Sequence, residues 1–222
     1  HISELDACLE LLRLLREAVK VRLYSDVPLG AFLSGGVDSS VIVGLMAELT
    51  GKKVKTFSIG FDVKSYNELE HARRVARHFD TEHYEFTVKP DAVKIIPLLV
   101  ERYGEPYAES SAIQTYYVCQ LTRQHVTVAL NGDGGDELFA GYERYQAMLL
   151  AECFQRLPSL LKNAAGVFAS LLPDSADGKN RLRRLKRFLD AASMPAGQRY
   201  LRWIGICDEP FRNRLYSDSF RS

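Results

Sequence analysis

The sequence has only four cysteines among 222 residues, and no two of them stand as C-x-x-C. None lies at zinc-finger spacing from a histidine, so neither a structural zinc site nor a disulfide framework organises the chain. Cys8, Cys119, Cys153 and Cys207 are expected to be reduced, mostly buried thiols of a cytoplasmic protein. Long apolar runs are also lacking. No stretch could span a bilayer and no secretory signal opens the chain, so no membrane partner is expected. Charge of one sign is missing as well. A formal net charge of +1 leaves no overall field to draw in nucleic acid. The local exception, Arg181-Leu182-Arg183-Arg184-Leu185-Lys186-Arg187, carries leucines at helical spacing and reads as a solvated helix face before a phosphate-binding patch. The five histidines form no H-E-x-x-H pair, which argues against a histidine metal site. There is no internal repeat and no low-complexity tract.

What is present is a core and a pattern. A hydrophobic content of 46% over 222 residues suffices for one substantial core. Leucine and valine recur every three or four positions over 3–23, a helix with Ser3 as its cap. Asp26, Pro28 and Gly30 then break the chain, and "LGAFL" reads as a buried strand. "VDSSVIVGLMAELTG" has helical spacing and ends at Gly51, a helix stop. Strand-like "VKTFSIGF" (54–61), helix-like "YNELEHARRVARHF" (66–79) and strand-like "TEHYEFTV" (81–88) follow. Helices at roughly 90–102 and 111–125, a strand at "HVTVAL" (125–130) and a helix over "DELFAGYERYQAMLL" complete the series. Alternating strands and helices predict an α/β fold: a doubly wound, mostly parallel sheet flanked by helices. Strand signals vanish after about residue 150, which divides a core at 1–150 from a helical extension at 151–222.

Two constellations carry chemistry. The first is Ser34-Gly35-Gly36-Val37-Asp38-Ser39, at the junction of the first strand and its helix. Helix starts offer unpaired N–H groups and the positive end of a dipole. Adjacent glycines admit an anion close to the backbone, and the serines add hydroxyl donors, so the stretch reads as a phosphate cradle. A carboxylate beside phosphates is repulsive unless a hard cation lies between them, so Asp38 points to Mg²⁺ with a polyphosphate. Neither the Walker pattern nor the dinucleotide fingerprint is present. The second constellation, Asn131 to Tyr142, repeats the arrangement one strand later and crowds Asp133, Asp136 and Glu137 together. Carboxylates this close call for a cation, without matching an EF-hand. In a parallel sheet both loops open toward one edge, where Asp38 and Asp136 could share one Mg²⁺.

Other polar residues are weaker candidates. His83 falls at a strand edge, where a packed, hydrogen-bonded role outweighs contact with a nucleotide. Glu105, Glu109, Ser110 and Ser111 precede a helix as a capping group. Arg144 could meet a substrate carboxylate or form a surface ion pair.

The first constellation resembles the S-G-G-x-D-S pyrophosphate loop of PP-loop ATPases, which have an adenine-nucleotide α-hydrolase-like fold. "NGDGGDE", with "DVPLGAFLSGGVDSS", "TFSIGFD", "EPYAESSAIQTYY" and "GGDELFAGYERY", resembles the synthetase domain of glutamine-dependent asparagine synthetases. The resemblance implies an enzyme that uses ATP to adenylate the side-chain carboxylate of aspartate and then transfers ammonia. By this resemblance Ser34, Gly35, Gly36, Asp38 and Ser39 hold the pyrophosphate portion of ATP. Phe32 and Ile59 frame the adenosine, Asn131 and Gly132 lie against AMP, and Asp38 and Asp136 ligate Mg²⁺. Asp133 supports formation of the aspartyl-adenylate. The resemblance further implies a glutaminase domain before residue 1 as the source of ammonia and a further segment after Ser222. A homodimer is compatible with it.

The sequence departs from the family pattern at Asn131 (usually serine), Asp133 (commonly glutamate) and Gln114 (often proline). Alternatives therefore stay open: an amidotransferase or a β-lactam or peptide-cyclising synthetase acting on another carboxylate, or a catalytically incomplete ATP-binding module. An RNA-modifying relative is disfavoured by the missing cysteine pair and basic face.

Overall fold

The computed structural model describes residues 2–61, 68–89, 91–107, 109–171, 181–205 and 209–221. These divide into two compact units, His1–Gly135 and Asp136–Ser222.

In the first unit, helix α1 (Glu4–Arg22) leads to β1 (Leu29–Phe32), α2 (Val37–Thr50), β2 (Lys55–Phe61), α3 (Leu69–His78) and β3 (Glu82–Val88). Helices α4 (Ala92–Tyr103) and α5 (Ser111–Thr122) then precede β4 (Val128–Leu130). Ser3 caps α1 as expected, its hydroxyl accepting the Asp6 N–H at 3.1 Å. Gly51 ends α2 in the left-handed conformation, φ 60°. The four strands form one parallel sheet in the order β3-β2-β1-β4.

Helices line both faces of this sheet. On one, Ala31 and Leu33 pack with Val19 of α1, Val43 and Met46 of α2 and Ala72 of α3. On the other, Phe57 stacks on Tyr84 at 5.3 Å. His125, just past α5, covers Tyr84 at 4.1 Å. The period-2 alternation of strands makes this division: odd residues of β1 face one layer and even residues the other. The doubly wound α/β reading thus describes this unit.

The second unit is helical: α7 (Glu143–Gln155), α8 (Ser159–Leu171), α9 (Arg181–Ala192), α10 (Ala196–Ile204), α11 (Glu209–Leu215) and α12 (Asp218–Arg221). A four-residue helix, α6 (Gly135–Leu138), stands at the junction of the two units. The second core is small, built on Ala151, Ala191, Ala192 and Trp203 with Phe154 and Phe188 against it.

Several sequence expectations are corrected. The helix read through 136–150 is broken, because Ala140 adopts φ 55°, outside the helical region, before α7 restarts at Glu143. The strand read over 125–130 is only three residues long. The chain before it is still turning out of α5, with Val126 N–H bonded back to the Thr122 carbonyl. Cys8, Cys119 and Cys153 are exposed, not buried. Cys207 and the first residues of the predicted 66–79 helix lie outside the described residues.

Candidate functional site

The chain runs outward from β1 to β2 to β3, then returns to pair β4 on the opposite side of β1. The loops leaving β1 and β4 therefore meet at the point where strand order reverses, the usual ligand position of an open parallel sheet. The Ser34–Ser39 stretch and the Asn131–Gly135 part of the second constellation lie there.

Leu33 anchors the first loop. Its N–H donates to the Phe57 carbonyl at 2.9 Å, and its carbonyl accepts the buried Ser58 hydroxyl. The chain then turns through Gly35 at φ 84°. A Cβ on Gly35 would lie 2.5 Å from the backbone of His71 and Ala72, so only glycine lets the start of α3 approach this closely. Gly36 is the N-cap of α2 and offers no side chain to the first-turn N–H groups of Val37, Asp38 and Ser39. Hydroxyls surround that gap. Ser34 Oγ lies 3.0 Å from Ser39 Oγ and accepts the Gly36 N–H at 3.2 Å. Ser39 and Ser40 each donate to the Gly36 carbonyl, at 3.2 and 2.6 Å. Open N–H groups at the positive end of a helix, with hydroxyls beside them, suit an anion.

The second loop closes on the first. A Cβ on Gly132 would lie 2.8 Å from the Asp38 and Ser39 backbone, and one on Gly135 would lie 2.5 Å from the Asp38 carboxylate carbon. The loop's own side chains pair: Asn131 Nδ2 donates to Asp133 Oδ2 at 2.7 Å. Asp133 itself is exposed. Phe32 pairs in register with Phe57, and Ile59 follows two positions later, so both half-buried side chains share the face opposite Ala31 and Leu33. The structure thus brings together Ser34, Gly35, Gly36, Asp38, Ser39, Asn131, Gly132 and Asp133, with Phe32 at the strand end beneath them.

Asp136 lies in the first turn of α6, half-buried, with an oxygen 2.0 Å from where a Gly141 Cβ would be. In the same segment the Tyr142 hydroxyl donates to Glu137 at 2.6 Å. This bond holds the Glu137 carboxyl below its usual pKa and pushes the Tyr142 phenol up. Among the described residues Arg144 makes no ion pair within 4 Å, though its charge acts on Glu137; it lies over the Tyr142 ring, 3.6 Å from its centroid.

His83 is paired in register with Thr56, at the amino-terminal half of the sheet and away from the loop edge. Its Nδ1 lies 2.8 Å from Thr56 Oγ1. Burial lowers its pKa, with the nearby Glu85 carboxylate opposing that shift. Ser110 caps α5 by position without a side-chain bond. Ser58 and Gly135 were not singled out by sequence. Ser58 carries no signal within "TFSIGF", and Gly135 is legible only as one of a run of glycines.

The asparagine synthase family model matches residues 10–219, so it includes the helical second unit as well as the sheet. Asparagine synthetase [glutamine-hydrolyzing] 1 of Bacillus subtilis is 36% identical over 200 residues, covering 90% of this chain and 30% of that protein. Putative asparagine synthetase [glutamine-hydrolyzing] 2 of Methanocaldococcus jannaschii is 42% identical over 167 residues, covering 74% of this chain and 32% of that protein. The chain thus spans about a third of the length of these curated relatives. Among solved structures, the NH3-dependent NAD synthetase from Campylobacter jejuni aligns with a TM-score of 0.41 at 12% identity, covering 88% of this chain and 96% of that one. With the loops in place and the family match running across nearly its whole length, the chain belongs to the asparagine synthase family.

Proposed function

We propose that this chain is the ATP-using part of an amide-forming ligase that adenylates the side-chain carboxylate of aspartate, releases pyrophosphate and transfers ammonia to the adenylate. The observation that carries this reading is the meeting of two glycine loops at the β1–β4 switch point, in a chain of this family. A carboxylate is a poor electrophile; joined to AMP it gains a leaving group. The first-turn N–H groups of α2 and the Ser34 and Ser39 hydroxyls bind the pyrophosphate portion of ATP and stabilise charge as it leaves. Phe32 and Ile59 frame the adenosine, and Asn131 and Gly132 position AMP. Asp133, its carboxylate steered by Asn131, supports adenylate formation.

The residues present fit Mg²⁺. Asp38 is a half-buried carboxylate in the first turn of α2, packed closely against Gly135 of the second loop. No group of three or more His, Cys, Asp or Glu side chains gathers as a metal cage among the described residues. Mg²⁺ is commonly held by one or two carboxylates, with phosphate oxygens and water completing its shell. Asp38 would hold it from α2, and the family resemblance gives Asp136 the same role. When bound, Mg²⁺ neutralises charge on the leaving pyrophosphate. Ammonia supply by a glutaminase domain, a homodimer and a cytoplasmic setting belong to the same reading. No helix among the described residues is long and apolar enough to cross a membrane.

Calorimetric titration with ATP, with and without Mg²⁺, tests the site. Mg²⁺-dependent binding that Asp38→Ala weakens at least tenfold is the expected result. Binding that is indifferent to both Mg²⁺ and Asp38 would sink the assignment. Aspartate-dependent pyrophosphate release by the whole parent protein then tests the acceptor.

A further inference from the structure

The second unit holds a cleft of about 670 Å³ between α7, α9 and α10, lined by none of the residues assigned above to ATP or Mg²⁺. Tyr142, Arg144, Arg184, Arg187, Phe188 and Trp203 line it. Two kinds of surface meet in it. Phe188 and Trp203 stack with centroids 5.9 Å apart and planes inclined by 22°, forming a flat apolar wall. Three guanidinium groups supply the other surface.

Those cations are unevenly matched. Arg184 is paired with Glu143 at 2.9 Å, and both side chains are more than half exposed, so this rim pair is weak. Arg187 donates to the Trp203 carbonyl, which is neutral. Arg144 lies over the Tyr142 ring within electrostatic reach of the Glu137 carboxylate, but its Nε is buried with no hydrogen-bond partner. Arg199, which does not line the cleft, is 1% exposed and faces the Trp203 ring at 6.0 Å with Nε and Nη1 likewise unpartnered. Withdrawing a guanidinium from water without giving it an acceptor is costly. Its planar fork matches carboxylate and phosphate oxygens, and its flat face packs on rings.

We propose that this cleft binds a small amphipathic oxyanion: a carboxylate or phosphate carried on a flat apolar body. The apolar body lies against Phe188 and Trp203, and the oxyanion meets Arg144 and Arg187. None of these residues belongs to the proposed ATP loops.

Trp203 is the single tryptophan of the chain, so its fluorescence reports on the cleft directly. The probes are 3-phenylpropionate and phenyl phosphate, with 3-phenylpropanol as the uncharged control. A saturable change with one or both anions and none with the alcohol is expected; the stronger anion identifies the headgroup. Arg144→Gln and Arg187→Gln, each checked for folding by circular dichroism, should each weaken binding about tenfold, the scale of a lost charge-assisted hydrogen bond. Arg184→Gln, whose charge is already matched, should change it little. Three results overturn the proposal: no response to either anion, an equal response to the alcohol, or a response abolished by saturating Mg·ATP, which would put the probe in the nucleotide site. Calorimetry of Arg144→Gln with Mg·ATP separates this proposal from the adenylation reading, because ATP affinity should stay unchanged.

Discussion

Gly35 concentrates two requirements in one residue. Its φ of 84° disfavours any side chain, and α3 leaves no room for a Cβ. Gly35→Ala should therefore cost about 2–4 kcal/mol, combining left-handed strain with overpacking against backbone that cannot yield. Urea unfolding would measure this, and ATP affinity should fall with it. A loss below about 0.5 kcal/mol would mean that the loop relaxes freely, which the clash with His71 and Ala72 argues against. The sequence showed this glycine as part of a motif. It did not show that a helix thirty-odd residues later presses on it, since nothing local to "LSGGVDS" encodes that approach.

At the scale of elements, the candidate loop depends on how β1 and β2 are tied. The bond from Ser58 to the Leu33 carbonyl holds the residue just before Ser34. Ser58→Ala would leave that carbonyl short of a partner within a buried strand pair, at a cost of about 1–2 kcal/mol. It should also weaken ATP binding without touching a nucleotide-contacting residue. Thermal unfolding and calorimetry on the same variant test both effects, and unchanged ATP affinity in a destabilised protein would restrict Ser58 to a packing role. Elements with strong periodicity were legible: α1 with its Ser3 cap, α2 with its Gly51 stop, and the strands. The break at Ala140 was not. Alanine is the best helix former, and the turn that puts it at φ 55° is closed by a bond from the Gly141 N–H to the Asp136 carbonyl.

Across the whole molecule, pH couples to stability through His83 and Glu85. His83 is half-buried between Thr56 and Glu85; Glu85 Oε1 lies 3.4 Å from its Nε2 but is not aligned for a hydrogen bond, which leaves that nitrogen unpaired. Because burial lowers its pKa in the folded state, the unfolded chain takes up the proton first as pH falls. Stability contributed by His83 is therefore present above its ordinary pKa of about 6.5 and declines below it. Glu85 acts in a lower window. The hydrogen bond from Arg73 holds its pKa down, so its contribution is present above the ordinary glutamate value of about 4.3 and is lost on further acidification. Urea midpoints should decline in two stages, and His83→Gln should flatten the stage between pH 7 and 5.5 while keeping the lower one. A His83→Gln profile parallel to that of the parent would remove His83 as the cause.

The sequence by itself determined the class of fold and the residue types that the two loops present. Period-2 and period-3.6 patterns are local, and so is the Ser34–Ser39 stretch, whose glycines, serines and aspartate need no distant partner to be read as a phosphate cradle. Only the tertiary structure decided that the Asn131–Gly135 loop closes on Asp38, because that contact follows from strand order, and β4 pairs with β1 across nearly a hundred residues of chain. It likewise decided that the basic run at 181–187 lines a cleft with aromatic rings. Helical periodicity shows which residues share a face, but what that face meets depends on how α7 and α10 pack beside it.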